Sequence, residues 1–344
     1  MIAAREIRIE RWTPSSRIGA GVAVAVAVAL TTFPFWAASD VLRLIVQFAC
    51  LLALAQMWNV LAGYGGMISI GQQAYIGLGG YILVVLANDV GINPFVCVPL
   101  GGIGAALFAI PTSRVVFRLS GAYFAVGTWV VAEVYRLVFA NVSALGGGSG
   151  QSLTALIGIP KDVRESITYW IALGLLIATT GGTYWLLQSR LGLALSAIRD
   201  SDLAAESQGV DVARTKFLIY LIAACGTGCA GALYFLNALR ISPDAAFGMS
   251  WIPLLFLTVV IGGIGTIEGP IIGTLLFVLV RQFLSDYGAW YLIALGVAAI
   301  AVMMWAPRGI WGLLADRFGW RIFPIARIVR QTAVPVAQPA SGPT

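Results

Sequence analysis

The sequence predicts an all-α polytopic membrane protein of about ten transmembrane helices, with both termini cytoplasmic and some helices broken at glycine-rich segments. Three observations carry this expectation. First, 59% of the 344 residues are hydrophobic and only 10% are charged, against roughly 45–50% apolar content in soluble domains. Second, apolar stretches recur at about the ~20 residues that a helix rising 1.5 Å per residue needs to cross the hydrocarbon layer. Third, Ile18 to Phe35 and Leu292 to Trp305 are apolar on every face. Strands of a transmembrane barrel would instead alternate polar and apolar residues over ~10 positions.

The expected spans run, in order, from Ile18 to Trp36, Val41 to Leu61, Ser69 to Ala87, Pro94 to Ser113, Leu119 to Ala140, Ile167 to Gln188, Phe217 to Leu239, Trp251 to Ile264, Pro270 to Leu284 and Ala289 to Ala306. The first resembles a signal peptide in outline. Its apolar run exceeds the usual ~7–15 residues, and Ala37-Ala38-Ser39 is a poor cleavage site, so it reads as a spanning helix. Residues 1–17 then form a cytoplasmic segment, residues 18–306 the membrane domain, and residues 307–344 a cytoplasmic tail. The tail reads as disordered from about residue 331, where Pro335, Pro339 and Pro343 accumulate.

Orientation follows from the basic residues, which concentrate in short cytoplasmic segments. With the N-terminus inside, that side collects Arg5, Arg8, Arg11 and Arg17; Arg114 and Arg118; Arg190, Arg199, Arg214 and Lys216; and Arg308, Arg317, Arg321, Arg327 and Arg330. These are fifteen of the 21 Lys and Arg. The net charge of +6 thus reflects topology and anionic lipid headgroups of the bilayer, and nucleic acid is not an expected partner. Residues 141–166, with Gly146-Gly147-Gly148-Ser149-Gly150, fall outside as the largest external loop. Composition leaves open whether that loop is a contact surface or a flexible connector.

Several chemistries find little to work with. There is no histidine, and neither Lys161 nor Lys216 completes the G-x-x-x-x-G-K-[ST] loop that cradles nucleotide phosphates. The four cysteines lack metal-binding spacing, and Cys225 and Cys229 read as packing residues. Glu133 and Arg136, three apart on one helix, read as a local pair rather than an ion relay. The expectation is a conduit that binds no cofactor of its own and borrows its energy.

Broken helices mark where such a conduit lies, because non-helical backbone at membrane depth survives only when buried or lining an aqueous cavity. Seven glycines fall between Gly63 and Gly80, and Gly63, Gly65, Gly66 and Gly71 stand among Ser69, Gln72 and Gln73, which offer uncharged hydrogen-bonding groups. A second interruption, in the other half of the chain, contains Gly262, Gly263, Gly265 and Thr266, with Glu268 and Pro270 at the next helix start. Close helix packing is the competing explanation for such glycines.

The segment from Ser189 to Lys216 carries eight charges between apolar spans and falls in the cytoplasm. Asp200 or Ser201 can cap a helix there, Asp202 suits its first turn, and Gly209 suits its end. A helix of about two turns is too short to be stable alone and must pack on something. Ala204 and Ala205 suit a groove, while Arg199, Asp202 and Glu206 offer polar contacts.

Taken in order, five blocks resemble the LivM-type permease subunits of branched-chain amino-acid ABC importers, from about Asn59 to Leu314. They are Gly63-Tyr64-x-Gly66-x-x-Ser69-x-Gly71; Leu119-Ser-Gly-Ala-Tyr-Phe-Ala; Ala197-Ile198-Arg199-Asp200 with Ala204-Ala205 and Gly209-Val210; Ala230-Gly231-Ala232-Leu233; and Gly262-Gly-x-Gly265-Thr266-x-x-Gly269-Pro270. The resemblance implies a bacterial inner-membrane importer of branched-chain or related amino acids. It further implies two cytoplasmic ATPase subunits that hold ATP and Mg, a second permease subunit, more often a different one, and a periplasmic solute-binding protein. It assigns Arg199 to Gly209 to the segment that couples to the ATPase. Relatives often carry His where Gln72 stands and Gly-Ala-Tyr in place of Gly79-Gly80-Tyr81, which leaves solute identity open. A stand-alone facilitator or ion-coupled carrier of a small polar solute is the alternative class.

Overall fold

The structure is a computed structural model that describes residues 5–10, 14–284, 290–306, 308–318, 323 and 328–333. Its elements are β1 (Arg5–Glu10), α1 (Pro14–Thr32), α2 (Ser39–Asn59), α3 (Gln73–Asn88), α4 (Pro94–Val116), α5 (Ala122–Asn141), β2 (Gln151–Ser152), α6 (Lys161–Gln188), α7 (Arg190–Asp200), α8 (Asp202–Ser207), α9 (Val212–Ala238), β3 (Arg240–Ile241), α10 (Pro243–Phe247), α11 (Trp251–Gly262), α12 (Glu268–Leu284), α13 (Trp290–Trp305), α14 (Gly309–Phe318) and β4 (Ile328–Ala333). A helix runs through each of the ten expected spans.

Among the described residues, seven helical stretches are long and apolar enough to cross a membrane: Ser39–Tyr64, Pro94–Val116, Ala122–Asn141, Lys161–Gln188, Val212–Ala238, Pro243–Gly262 and Gly296–Ala315. Val24–Phe35 and Gln73–Asn88 are apolar but shorter. The protein is therefore an all-α polytopic membrane protein. Antiparallel pairing of β1 with β4 sets Arg5 opposite Ala333 and Glu10 opposite Ile328. The two terminal segments thus lie side by side. The expected disorder from about residue 331 meets strand β4 at residues 331–333, and residues 334–344 lie outside the described set.

Helix α2 is the centre of the bundle, with every residue from Ala49 to Asn59 buried. It packs against α6, α9, α11 and α12. The long helix α9 joins it to α3 and α4. Glycines set that approach: a methyl group at Gly228 of α9 would lie 3.0 Å from the Gly101 carbonyl oxygen of α4. Small residues at crossings let backbones meet closely, and such packing holds helices together where lipid is as apolar as the core. On α5 the exposed side chains Val126, Val130, Val134, Leu137 and Val138 recur at helical spacing. An apolar face of that kind is suited to hydrocarbon.

The end of the bundle away from α7 and α8 is covered by ordered backbone. Residues Lys161 to Ser166, which composition places in the external loop, instead form the start of α6. The rest of the loop is tied down, with β2 pairing antiparallel to β3. The Asn88 carboxamide oxygen accepts from the Thr154 and Ala155 amides at 3.0 and 3.1 Å. Below it, Glu133 and Arg136 do pair locally at 2.6 Å. Arg136 also reaches Asp244 of α10 at 2.7 Å, which ties α5 to α10.

Candidate functional site

The first break begins where α2 runs out into a single wide turn, Val60–Tyr64, with i to i+5 bonding. Such insertions concentrate at functional positions in helices. Beyond Gly65 the backbone is non-helical until α3 starts at Gln73, four residues later than expected. It is nevertheless held by side-chain hydrogen bonds. The Trp58 indole donates to the Ser69 carbonyl oxygen at 2.9 Å, and the Ser69 hydroxyl accepts from the Gly71 amide at 3.3 Å. Thr128 of α5 accepts from the Ile70 amide at 3.2 Å, and a side chain at Gly71 would collide with the Thr128 carbonyl. Gln72 donates to the Thr227 hydroxyl of α9 at 2.7 Å.

In the second break the chain leaves α11 at Gly262 and enters α12 at Glu268. Several groups read as pathway candidates serve the turn itself. Thr266 donates its hydroxyl to the Gly263 carbonyl at 2.8 Å and accepts from the Gly269 amide at 3.0 Å. A side chain at Gly262 would run into the Gly269 carbonyl, and one at Gly263, whose φ is +136°, would lie 3.0 Å from the Arg308 carbonyl. Packing thus accounts for Gly262, Gly263 and the Thr266 side chain. Glu268 stands at the helix start, as its position beside Pro270 suggests, and accepts from the Phe323 amide at 2.9 Å.

The two breaks meet. Asn59 donates to the Thr266 carbonyl at 2.8 Å and accepts from the Gly265 amide at 2.9 Å, while Gln56 donates to the Ile267 carbonyl at 2.8 Å. Both carboxamides are fully buried. A methyl group at Gly63 would come within 2.6 Å of the Gly265 nitrogen, so glycine is required at this crossing. Gln56 and Asn59 do not appear among the residues singled out from sequence. Their signal was present in two uncharged polar residues, three apart on one face of an otherwise apolar span, immediately before a glycine break.

The polar segment joins the same junction. Its first half is not a loop: Arg190–Asp200 form α7, capped by the Ser189 hydroxyl at 3.2 Å from the Leu191 amide. Gly192, Leu195 and Ile198 recur every three residues on its buried face, a period obscured by the charges around it. The helix ends with Arg199 against both breaks. A methyl group at Gly66 (φ +66°) would lie 3.6 Å from the Arg199 Cα, and one at Gly265 (φ +76°) 2.9 Å from its Nη1. Arg199 therefore borders the two glycine segments, beyond the coupling role that resemblance implies for it.

Helix α8 follows as the expected short helix. Ser201 rather than Asp200 caps it, accepting from the Ala204 amide at 3.3 Å, and Gly209 (φ +80°) lies just past its end. Lys216 pairs with Asp202 at 2.5 Å. Ala205, expected among the docking residues, is instead 0% exposed and packs with Ile198 and Val212 of its own chain. That contact supplies the order so short a helix lacks. Asp200, Asp202, Ala204, Glu206 and Gly209 are exposed, and between them Leu203 projects at 81% exposure.

Polar atoms remain buried along the first break without a partner in the chain: Gln56 Oε1, Tyr64 Oη, Gln72 Oε1 and Gln73 Nε2. Each unpaired buried polar group costs roughly 1–3 kcal/mol, so their concentration here needs an explanation beyond packing. Among the described residues there is no group of three or more His, Cys, Asp or Glu that could hold a metal.

Comparison with known proteins agrees with this architecture. The family model for "Branched-chain amino acid transport system / permease component" matches residues 41–307. The high-affinity branched-chain amino acid transport system permease protein LivM of Escherichia coli (strain K12) is 24% identical over 313 residues, covering 83% of this chain and 73% of the relative. A probable branched-chain amino acid transport permease protein LivM of Methanocaldococcus jannaschii is 24% identical over 270 residues, 73% of this chain and 76% of its own. The fructose import permease protein FruG of Bifidobacterium longum is 27% identical over 168 residues, 46% of this chain and 48% of its own. No solved structure matches. With seven apolar helical stretches long enough to cross a bilayer and a family match spanning most of its length, this multi-pass inner-membrane protein belongs to the family of branched-chain amino-acid transport permeases.

Proposed function

We propose that this chain is the translocating subunit of an ATP-binding-cassette importer that moves branched-chain or related amino acids inward. ATP and Mg are held by two cytoplasmic ATPase partners, and this chain performs no catalysis of its own. A second permease subunit, most often a different chain, and a periplasmic solute-binding protein complete the assembly. The observation that carries the reading is Arg199. It ends α7 beside Gly66 and Gly265, so the cytoplasmic polar segment adjoins both broken segments.

Mechanistically, the exposed face of α8, with Leu203 between Asp202 and Glu206, meets the ATPase. Movement of α8 passes to α7 through Ala205 and Ile198, and from Arg199 to the junction held by Asn59. Gln72 Oε1 and Gln73 Nε2 supply an acceptor and a donor for the charged ends of an amino acid when the pathway opens. The amino-acid class is favoured over sugars because the relatives covering most of this chain carry branched-chain amino acid names, whereas the fructose permease covers less than half.

Co-expression with candidate ATPase and binding-protein partners tests the reading. The purified assembly in liposomes is expected to accumulate labelled leucine only with ATP and binding protein present. Uptake by the chain without any ATPase overturns it.

A further inference from the structure

At the end of the bundle opposite α7 and α8, a recess of about 260 Å³ opens between the first turns of α2 and α6 and the last turn of α9. The distribution of basic residues assigns this end to the outside. The recess has an aliphatic floor, formed by Leu42, Val46 and Leu236, and a rim bearing both signs of charge. A second hollow of about 490 Å³ adjoins it through Arg43, Asn237 and Ala238.

The charges are arranged unevenly. Glu165 is a carboxylate only 9% exposed, and its Oε1 accepts from Arg43 at 2.7 and 3.0 Å, with the Lys161 ammonium at 4.0 Å. Beside it α9 ends at Leu239, whose φ of +60° makes it the one non-glycine residue in the left-handed region among the described residues. The final carbonyls of α9 have no further helical turn to bond and form a negative pole. Strained backbone of this type persists where the surroundings hold it, often at ligand sites. Arg164 presents the opposite sign. It sits in the first turn of α6, at the positive helix pole where a cation is disfavoured. Its guanidinium has no hydrogen-bond or ion-pair partner among the described residues.

We propose that this recess receives a neutral amino acid as a zwitterion, ahead of the glycine-lined pathway. Its carboxylate lies on the fork of Arg164, its ammonium faces Glu165 and the carbonyl end of α9, and its aliphatic side chain covers Leu42 and Val46. A guanidinium suits a carboxylate because two parallel N–H groups match two oxygens. The volume suits a solute smaller than the drug-sized ligands that fill cavities of ~300–1,000 Å³. A phosphatidylethanolamine headgroup shares the chemistry of an amine joined to an anion, so the experiment separates the two sources. The proposal rests on the transport reading given above.

The test uses the full assembly in nanodiscs with Asn237→Cys, an exposed position on the rim, labelled by a membrane-impermeant maleimide. L-leucine is expected to slow labelling, while leucinamide, which lacks the carboxylate, and 4-methylpentanoate, which lacks the amine, do not. Adding Arg164→Gln is expected to raise the protecting leucine concentration about tenfold, the loss of one charge-assisted interaction. No protection by leucine, equal protection by the analogues, or no effect of Arg164→Gln overturns the site. If phosphatidylethanolamine slows labelling without leucine and leucine adds nothing, the headgroup is the occupant and the amino-acid assignment fails. ATP-driven leucine uptake by the same assembly is measured in parallel. Uptake without protection sinks the recess alone, and protection without uptake sinks the transport reading.

Discussion

Replacing Asn59 with leucine removes the link between the two broken segments while nearly conserving volume. Two hydrogen bonds disappear, at 2.8 Å to the Thr266 carbonyl and 2.9 Å from the Gly265 amide. Leaving a buried group unpaired costs roughly 1–3 kcal/mol, but interhelical hydrogen bonds inside membrane proteins average nearer ~0.6 kcal/mol each. The lower figure governs here because Gly265 and Thr266 are only half-buried, so water can reach the freed groups. Two bonds then amount to about 1.2 kcal/mol, or roughly a sevenfold shift in the opening equilibrium of the loop. Hydrogen exchange of the peptide spanning residues 263–267, measured on the protein in nanodiscs, is expected to accelerate by about that factor. Exchange elsewhere in α2 and α9 stays unchanged. If the 263–267 amides exchange at the wild-type rate in Asn59→Leu, Asn59 is not what holds the junction, and the path from Arg199 to the second break fails with it.

Three further outcomes follow from the same geometry. A Gly66→Cys/Arg199→Cys pair is close enough for a disulfide, given the 3.6 Å from a Gly66 methyl to the Arg199 Cα; oxidation is expected to stop transport while the ATPase stays bound, and unchanged transport in the cross-linked protein would show the junction to be static. Leu203→Asp is expected to weaken ATPase copurification tenfold or more, since burying one leucine contributes about 1.5–3 kcal/mol, and wild-type recovery would remove Leu203 from the interface. Arg136→Gln breaks contacts to Glu133 and to Asp244, but Asp244 is 77% exposed. Screened pairs contribute little, so the melting temperature is expected to move by no more than a degree or two, and a large drop would mean that the docking of α10 on α5 depends on this contact.

How far the fold was legible differs from element to element, for physical reasons. The helical class was legible because a helix crossing hydrocarbon must satisfy its backbone internally over a fixed length; a helix runs through each expected span, and among the described residues seven stretches are long and apolar enough to cross. The cap and end of α8 were legible because Ser201 and Gly209 act locally. Helix α7 was not, since its buried triad Gly192, Leu195 and Ile198 is interleaved with arginines and serines that read as loop. Ala205 was misassigned for a related reason: a small residue suits a partner's groove and its own chain's core equally, and only the contact with Ile198 and Val212 decides. Glycine breaks were visible, but which glycines serve packing was not, because the atoms crowding Gly262 and Gly263 come from Gly269, Gly273 and Arg308.

Composition and the order of residues were enough to establish the solvent, the helical class and the absence of a phosphate-binding loop of its own. These follow from local or additive properties, such as length, charge counts and capping. Tertiary structure decided which residues meet. Asn59 and Gly265 are 206 positions apart, and no helical period relates them. In a soluble protein, hydrophobicity would at least point inward. In a bilayer the surroundings are as apolar as the core, so Val130 facing out and Ala132 buried look alike in the sequence, and only the packed bundle tells them apart.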